Sequence, residues 1–376
     1  MRWIGCDVHK EYLFCVHLDA EGNVLAEETV TAEYSAVKTW VEGLDPGSTT
    51  IALESCYAWE YVHDLAAARG IRVLVADPAL LQPAVKQRAN KNDRDDAKNL
   101  AKLARLDLLP LVHPVDRRYR ELRALTRHRI FLTQTRTSIK NHVHFLLDRA
   151  GVKLGVTDIF GKKGRRGIAG VVLPFESQLA LSSSLKQLDA LDVEIDALDR
   201  ELARRVPDFP KVKLLMTIPA VGYWMGLVIA AETAGMSRFP SAKKYQAYTG
   251  LVPSRHQSGK TDVSGSITRR GSSELRWALV VVAQNLKAQP GPIRDFFQRL
   301  EPKKGANRAK VACASKLAEF IWCMLTRGEP YRARQPVKEI AKVDRRQRRA
   351  RPYDVEAERM ERWFVKYVGT EGASGV

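Results

Sequence analysis

The chain has little that would place it in a membrane or staple it covalently. Its longest apolar stretches, such as Trp277 to Ala283, fall well short of the ~20 apolar residues a bilayer-spanning helix needs. The opening residues Arg2-Trp3-Ile4-Gly5-Cys6-Asp7 read as a strand. They show no basic segment, apolar run or small-residue cleavage site of a secretory leader. Cysteine is sparse and odd in number: Cys6, Cys15, Cys56, Cys313 and Cys323 are scattered through 376 residues. A disulfide framework is not expected, and a reducing cytoplasm fits. No internal repeat is visible either.

What is abundant is positive charge. Lys and Arg number 61 against 43 Asp and Glu, a formal net charge of +18. An excess of that size points to a polyanion, nucleic acid before an anionic membrane surface. With 45% hydrophobic and 28% charged residues the mix is that of a globular protein, not a disordered or fibrous one. The length leaves room for two or three domains, each with its own core.

Residues 1 to about 110 alternate strand and helix signals. Trp3–Val8, Tyr12–Leu18 and Val24–Thr31 read as a three-strand meander. Helix (Ser35–Leu44), strand (Thr49–Glu54), helix (Trp59–Ala68) and strand (Ile71–Ala76) follow. This is an α/β pattern with a mixed sheet. From about 115 to 205 the signal changes to long helices. Leu122, Leu125, Leu132, Ile139, Val143 and Leu146 form one seam, in which Arg129 and Arg136 fill the two remaining positions. Leu188, Leu191, Ile195, Leu198 and Leu202 form a second. Seams this short predict an antiparallel hairpin or a dimer contact. Between them, Gly161-Lys162-Lys163-Gly164-Arg165-Arg166-Gly167 reads as a basic loop, mobile until it meets phosphate. Residues 211–330 read as mostly helical, with a Gly/Ser-rich stretch at 250–273 that lacks helical periodicity. The expected domains are 1–112, 113–208, 209–332 and a basic tail, 333–376, which is either an electrostatic anchor or plain disorder.

Four carboxylates of the first domain carry a chemical signal. Asp7 sits on the first strand and Glu54 at the end of a later one. Asp93 and Asp96, three apart in Lys91-Asn92-Asp93-Arg94-Asp95-Asp96-Ala97, share one face of a helix start. Taken singly, each has a bland explanation as a strand residue or a helix cap. Brought to one sheet edge, they repel one another and raise their own pKa values unless hard cations neutralise them. Oxygen clusters suit Mg²⁺ or Mn²⁺. Two such ions ~3.5–4 Å apart clamp the attacking and leaving oxygens of a phosphoryl transfer.

These residues resemble a known family. Gly5-Cys6-Asp7-Val8-His9-Lys10, Ala52-Leu53-Glu54 and the Lys91–Ala97 run are similar to the N-terminal domain of DEDD transposases of the insertion-sequence family one-ten. In the second half the similar segments, in order, are Ile218-Pro219-Ala220-Val221-Gly222, Arg238-Phe239-Pro240-Ser241-Ala242, Tyr248-Thr249-Gly250-Leu251-Val252-Pro253, Gln257-Ser258-Gly259-Lys260 and Ile267-Thr268-Arg269-Arg270-Gly271. The resemblance covers about 1–330. It implies an RNase H-like (RuvC-like) first domain and a mostly α C-terminal transposase domain; the helical, coiled-coil connector read from its seams could dimerise and touch RNA. It further implies DNA recombination guided by a bridge RNA that pairs with target and donor DNA. Carried over, Asp7, Glu54, Asp93 and Asp96 bind Mg²⁺ (or Mn²⁺), and Ser258 attacks the phosphodiester. The expected partners are DNA, the bridge RNA and further copies of the chain, as a dimer or tetramer, with no membrane. The expected location is the cytoplasm, at the nucleoid. Asn92 stands where the family commonly has threonine, and Ala220 where it has glycine.

The chemistry around Ser258 fits such a role. A serine hydroxyl needs a base or a metal to become a nucleophile. No Gly-x-Ser-x-Gly elbow surrounds it. Arg255, His256, Lys260, Arg269 and Arg270 could hold a scissile phosphate. An exposed Gly/Ser loop with incidental charge is the plain alternative, and Ser254, Ser264 and Ser266 are competing nucleophiles. Arg129 and Arg136 are expected on an RNA or DNA backbone, because an arginine in an apolar seam needs an anion. Leu215 to Ala231 resembles a helix-hairpin-helix that either meets a phosphate or simply packs. A zinc site from Cys6, His9, Cys15 and His17 is disfavoured by spacing and by strand alternation. Two other functions remain open at this point: a structure-selective endonuclease that uses water with the same carboxylates, and a non-catalytic nucleic-acid-binding protein.

Overall fold

The computed structural model describes residues 1–85, 92–258 and 261–331, without the side chains of 82–85, 256–258 and 261–264. Lys91, Lys260 and the basic tail therefore lie outside the described residues. The chain divides into two compact units, Met1–Pro114 and Val115–Val376.

The first unit is a mixed α/β layer structure. Its elements are β1 (Arg2–Val8), β2 (Tyr12–Leu18), β3 (Val24–Thr31), α1 (Tyr34–Glu42), β4 (Thr49–Glu54), α2 (Trp59–Ala68), β5 (Arg72–Ala76), α3 (Pro78–Val85) and α4 (Asp93–Arg105). The sheet order is β3-β2-β1-β4-β5. β1, β2 and β3 pair antiparallel, whereas β1, β4 and β5 pair parallel. This arrangement is compatible with an RNase H-like domain.

Strand alternation divides the unit into two cores. Ile4, Cys6 and Val8 of β1 join Leu13, Cys15, Ile51 and Leu53 under Val37, Val41, Val62 and Ala66 of α1 and α2. The opposite face carries Val16, Leu18, Ala52 and Leu74 under Ala97, Leu100, Ala101 and Ala104 of α4. Gly5 lies on that second face. A Cβ there would collide with the carbonyl of Ala97 and crowd the amide of Ala101. The glycine thus lets α4 rest its backbone directly on β1. Both ends of α4 are tied down: Arg94 Nη2 meets Glu27 Oε1 at 2.6 Å, and Arg105 donates to the Ala20 carbonyl at 3.1 Å.

The second unit begins with α5 (Arg117–Arg149), α6 (Lys162–Ala169) and α7 (Phe175–Arg204). α5 and α7 pack together through Val143, Leu146, Leu147, Leu181 and Leu188. The expected mobile loop at Gly161–Gly167 is instead the helix α6. Its Gly164 backs so closely onto Ile159 that a Cβ would strike that backbone, and Ile168 is buried. Arg165 completes the anchorage by binding Asp189 of α7 at 2.5 Å. Packing of one small residue and one isoleucine therefore outweighs the local charge repulsion.

A short 3-10 turn (Val206–Asp208) leads to α8 (Lys211–Leu215), α9 (Tyr223–Thr233), α10 (Ala242–Tyr248), β6 (Pro253–Ser258), β7 (Thr261–Ile267), α11 (Ser273–Leu286), α12 (Pro292–Lys304) and α13 (Ala306–Arg327). α9 is buried on nearly all sides and forms the centre of a core shared with α11 and α13. Glu232 of α9 is 1% exposed, and Arg127 of α5 holds it in a bidentate pair at 2.8 and 2.9 Å. Arg123 donates to the carbonyls of Ala231 and Glu232. Charge-assisted bonds thereby lock α5 to α9. No helix among the described residues is long and apolar enough to cross a membrane.

Candidate carboxylate site and serine hairpin

The first unit brings its acidic residues to one edge by register. Cys6 of β1 pairs in parallel with Leu53 of β4, so Asp7 and Glu54 are the next residues of adjacent strands at their carboxyl ends. Over them, α4 begins at Asp93 with Asp93, Asp95 and Asp96 in its first turn. The Asn92 side chain caps this helix, accepting from the Arg94 amide at 3.1 Å. Acidic residues suit that end, where the helix dipole is positive. With the Ala97 backbone resting on Gly5, the preceding helical turn overhangs Asp7.

Asp7 and Asp93 do meet. His9 Nε2 lies 3.1 Å from Asp7 Oδ2 and 3.3 Å from Asp93 Oδ2. Asp7, His9 and Asp93 each offer a ligand atom within 4.8 Å of the others, the one such group of three among the described residues. Asp7 is the most enclosed, at 16% exposure, with Asp93 and His9 about one-third exposed. Glu54 and Asp96 are not members of this group. Tyr12 donates its hydroxyl to Asp93 Oδ2 at 2.7 Å. That bond, then burial and the charges of Asp93, Asp7 and Glu11, push the Tyr12 phenol above its ordinary value. Burial, with Asp7 adding negative charge, likewise raises the Cys56 thiol.

Tyr12 was not read as a site residue from the sequence, and His9 only as a disfavoured zinc ligand. His9 lies two residues after Asp7, which strand periodicity places on the same side. Tyr12 opens β2 across the β1–β2 turn, and no spacing rule links it to position 93. The arrangement offers carboxylate oxygens and one imidazole nitrogen at a half-open edge, a donor set that fits a hard divalent cation. His9 and His17 are not joined in a zinc site: His17 binds Glu28 at 2.6 Å, and Cys6 and Cys15 face each other across β1 and β2.

In the second unit, the Gly/Ser-rich stretch is the β6–β7 hairpin. Ser258 is the last residue of β6, and its backbone pairs with Thr261. Arg255 lies on the same strand, opposite Ser264, and is exposed. Arg269 and Arg270 are exposed at the hairpin base, and Arg269 adopts a left-handed φ of 54°. There Gly250 and Gly271, both at positive φ, pack against the carbonyls of Arg270 and Tyr248 in space that no Cβ could share. Leu215 to Ala231 spans the end of α8, a turn with Ala220 at φ 70° and most of α9.

The seam arginines have their anions within the chain. Arg129 makes a bidentate pair with Asp199 of α7 at 3.0 and 3.0 Å and stacks 4.5 Å from the Trp224 ring. Arg136 binds Asp192 at 2.8 Å. Their places in the seam are explained by α7, and no phosphate is needed to account for them.

Two family models match the chain. One, described as transposase and of the DEDD IS110 type, matches residues 4–151. The other, described as the transposase IS116/IS110/IS902 family, matches residues 212–298. Among similar proteins, the transposase for insertion sequence element IS1111A of Coxiella burnetii is 28% identical over 88% of this chain and 92% of its own length. The transposase for insertion sequence element IS1328 of Yersinia enterocolitica is 27% identical over 74% and 84%. A probable family 20 transposase of Pseudomonas aeruginosa is 24% identical over 88% and 98%.

Proposed function

Because this chain belongs to the IS110 family of insertion-sequence transposases, we propose that it recombines DNA through a metal-dependent RuvC-like site and a serine nucleophile. The observation that carries this reading is the meeting of Asp7 and Asp93 under α4, with Glu54 next in register. Asp7, Glu54, Asp93 and Asp96 would hold Mg²⁺ or Mn²⁺. When bound, such ions neutralise charge on the scissile phosphate and polarise the attacking and leaving oxygens. Tyr12 orients Asp93, and His9 supplies a donor between the two aspartates.

Ser258 Oγ is the attacking atom in this reading. It gives up its proton as the Oγ–P bond forms. The P–O bond to the departing strand breaks, and that strand's oxygen takes a proton. The energy of the phosphodiester is kept in a phosphoserine link, so a hydroxyl of another strand can reverse the step and complete an exchange. Arg255, Lys260, Arg269 and Arg270 are assigned to the DNA phosphates around the serine. Exchange between two duplexes requires at least two sites, hence a dimer or tetramer. A bridge RNA pairing with target and donor would supply sequence choice. Electrostatic attraction of the +18 chain to both polyanions supports this.

A second reading is kept because the Asp7–His9–Asp93 group forms within the first unit alone. With water as nucleophile, that unit would cut without Ser258. The test is trapping of a covalent protein–DNA adduct on a denaturing gel, with the RNA that co-purifies, DNA and Mg²⁺. Wild type should give an adduct at Ser258, and Ser258→Ala and Asp7→Asn none. Cut DNA from Ser258→Ala would establish the water reading instead.

A further inference from the structure

A groove of about 1300 Å³ in the second unit runs between the base of the β6–β7 hairpin and the helices α12 and α13. It is larger than the ~300–1,000 Å³ of ordinary small-molecule sites. Its rim is cationic: Arg269, Arg299, Lys304, Arg308 and Lys316 line it, against one carboxylate, Glu319. Glu319 is already held by Lys316 at 2.8 Å, so it does little to offset the remaining four. Among the described residues, none of those four has a carboxylate partner. The floor is apolar, built from Leu251, Ile267, Phe296 and Val311. Positions 308, 312, 315 and 319 recur at helical spacing, so a single face of α13 makes one whole wall.

We propose that this groove binds an unpaired DNA strand, with its phosphates on the cationic rim and its bases against the apolar floor. A duplex buries its bases and offers only phosphates and groove edges, so it would leave this floor uncovered. An exposed strand offers both chemistries at once, which is the pairing that single-strand binders use. An acidic peptide would meet the rim but would bring no planar bases to lay on the floor. Pro253 and Gly265 to Ile267 line the groove at the hairpin base, while Ser258 ends β6 five residues on, roughly 16 Å along the strand. The choice of DNA over RNA rests on the proposed function: a strand held here leads along the hairpin to the serine that would cut it.

The test is fluorescence anisotropy on the full chain with a labelled single-stranded thymidine 20-mer, a 20-base-pair duplex and a uridine 20-mer. Arg299→Ala with Arg308→Ala should weaken thymidine 20-mer binding at least tenfold. It should also lower the salt slope by roughly 1.4, at ~0.7 per lost single-strand phosphate contact. Lys304→Ala with Arg308→Ala should behave alike, which guards against a folding defect in the first pair. Val311→Glu should weaken the single strand more than the duplex. Ser258→Ala and Asp7→Asn should bind as wild type, so the groove can stand even if the cleavage reading falls. Equal weakening by Lys162→Ala with Lys163→Ala would show diffuse attraction and overturn the proposal. So would equal losses for duplex and single strand, or a larger loss for the uridine 20-mer than for the thymidine 20-mer.

Discussion

Gly5→Ala is the smallest change that separates the fold's account of the site from mere proximity of acidic residues. The added methyl would point into the Ala97 carbonyl and the Ala101 amide of α4, both backbone groups that cannot rotate away. The helix must therefore lift or tilt. Overpacking of this kind costs ~1–3 kcal/mol, and a rigid helix backbone places it at the upper end. Against that, replacing glycine in an extended strand returns ~0.4–1 kcal/mol through the unfolded chain. The net loss is about 2–2.6 kcal/mol. For a unit of roughly 100 residues this corresponds to a fall in melting temperature of roughly 8–20 °C. Because α4 carries Asp93 over Asp7, the same lift should open the Asp7–His9–Asp93 group and weaken Mn²⁺ binding. Differential scanning calorimetry and isothermal titration with Mn²⁺ read the two effects. Adding Ala97→Gly should not rescue either, since the collision is with the carbonyl of residue 97, not its side chain. An unshifted melting transition with unchanged Mn²⁺ affinity would refute the idea that close packing of α4 on β1 builds the site.

Other outcomes follow from the same contacts. Tyr12→Phe removes the hydroxyl that orients Asp93 and should weaken Mn²⁺ binding about tenfold while leaving the fold intact, as titration and circular dichroism would show. Glu232→Ala leaves Arg127 and Arg123 facing an empty pocket and should cost ~2–4 kcal/mol, the value discounted because Arg127 is half exposed. Denaturant unfolding measures it. A double-mutant cycle of Arg129→Ala and Asp199→Ala should give a coupling of ~0.5–3 kcal/mol, because the pair is bidentate and mostly enclosed. A coupling near zero would mean that α5 and α7 hold together by their apolar seam alone.

Much of the first unit was legible in the sequence because its signals are local. Alternation in Trp3–Val8 and Tyr12–Leu18, the turn at Asp19–Asn23 and the run Thr49–Glu54 each report their own geometry, and the strands formed where expected. The helix start at Asp93 was legible from the aspartates three apart that lead into a helical stretch. What was not legible depends on contacts distant in sequence. Nothing near Tyr12 announces a bond to position 93. The role of Gly5 exists only once α4 lies on β1. In the second unit Arg129 and Arg136 were expected on a nucleic-acid backbone, and the anions they meet are carboxylates of α7. Their partners, Asp199 and Asp192, lie dozens of residues away on α7 and carry no signal of pairing. At 250–273 the absence of helical periodicity was visible, but the hairpin was not, since its strands are short and rich in small polar residues. The helix at Lys162–Ala169 was missed because glycine and like charge argue against one, and tertiary packing of Gly164 and Ile168 overrides both.

The most direct measurement is anomalous scattering from crystals of the full chain grown with Mn²⁺. An anomalous peak within ligand distance of the Asp7 and Asp93 carboxylates, lost in Asp7→Asn, is the result the account predicts. Full occupancy of Mn²⁺ elsewhere, with no density between these two aspartates, would contradict it.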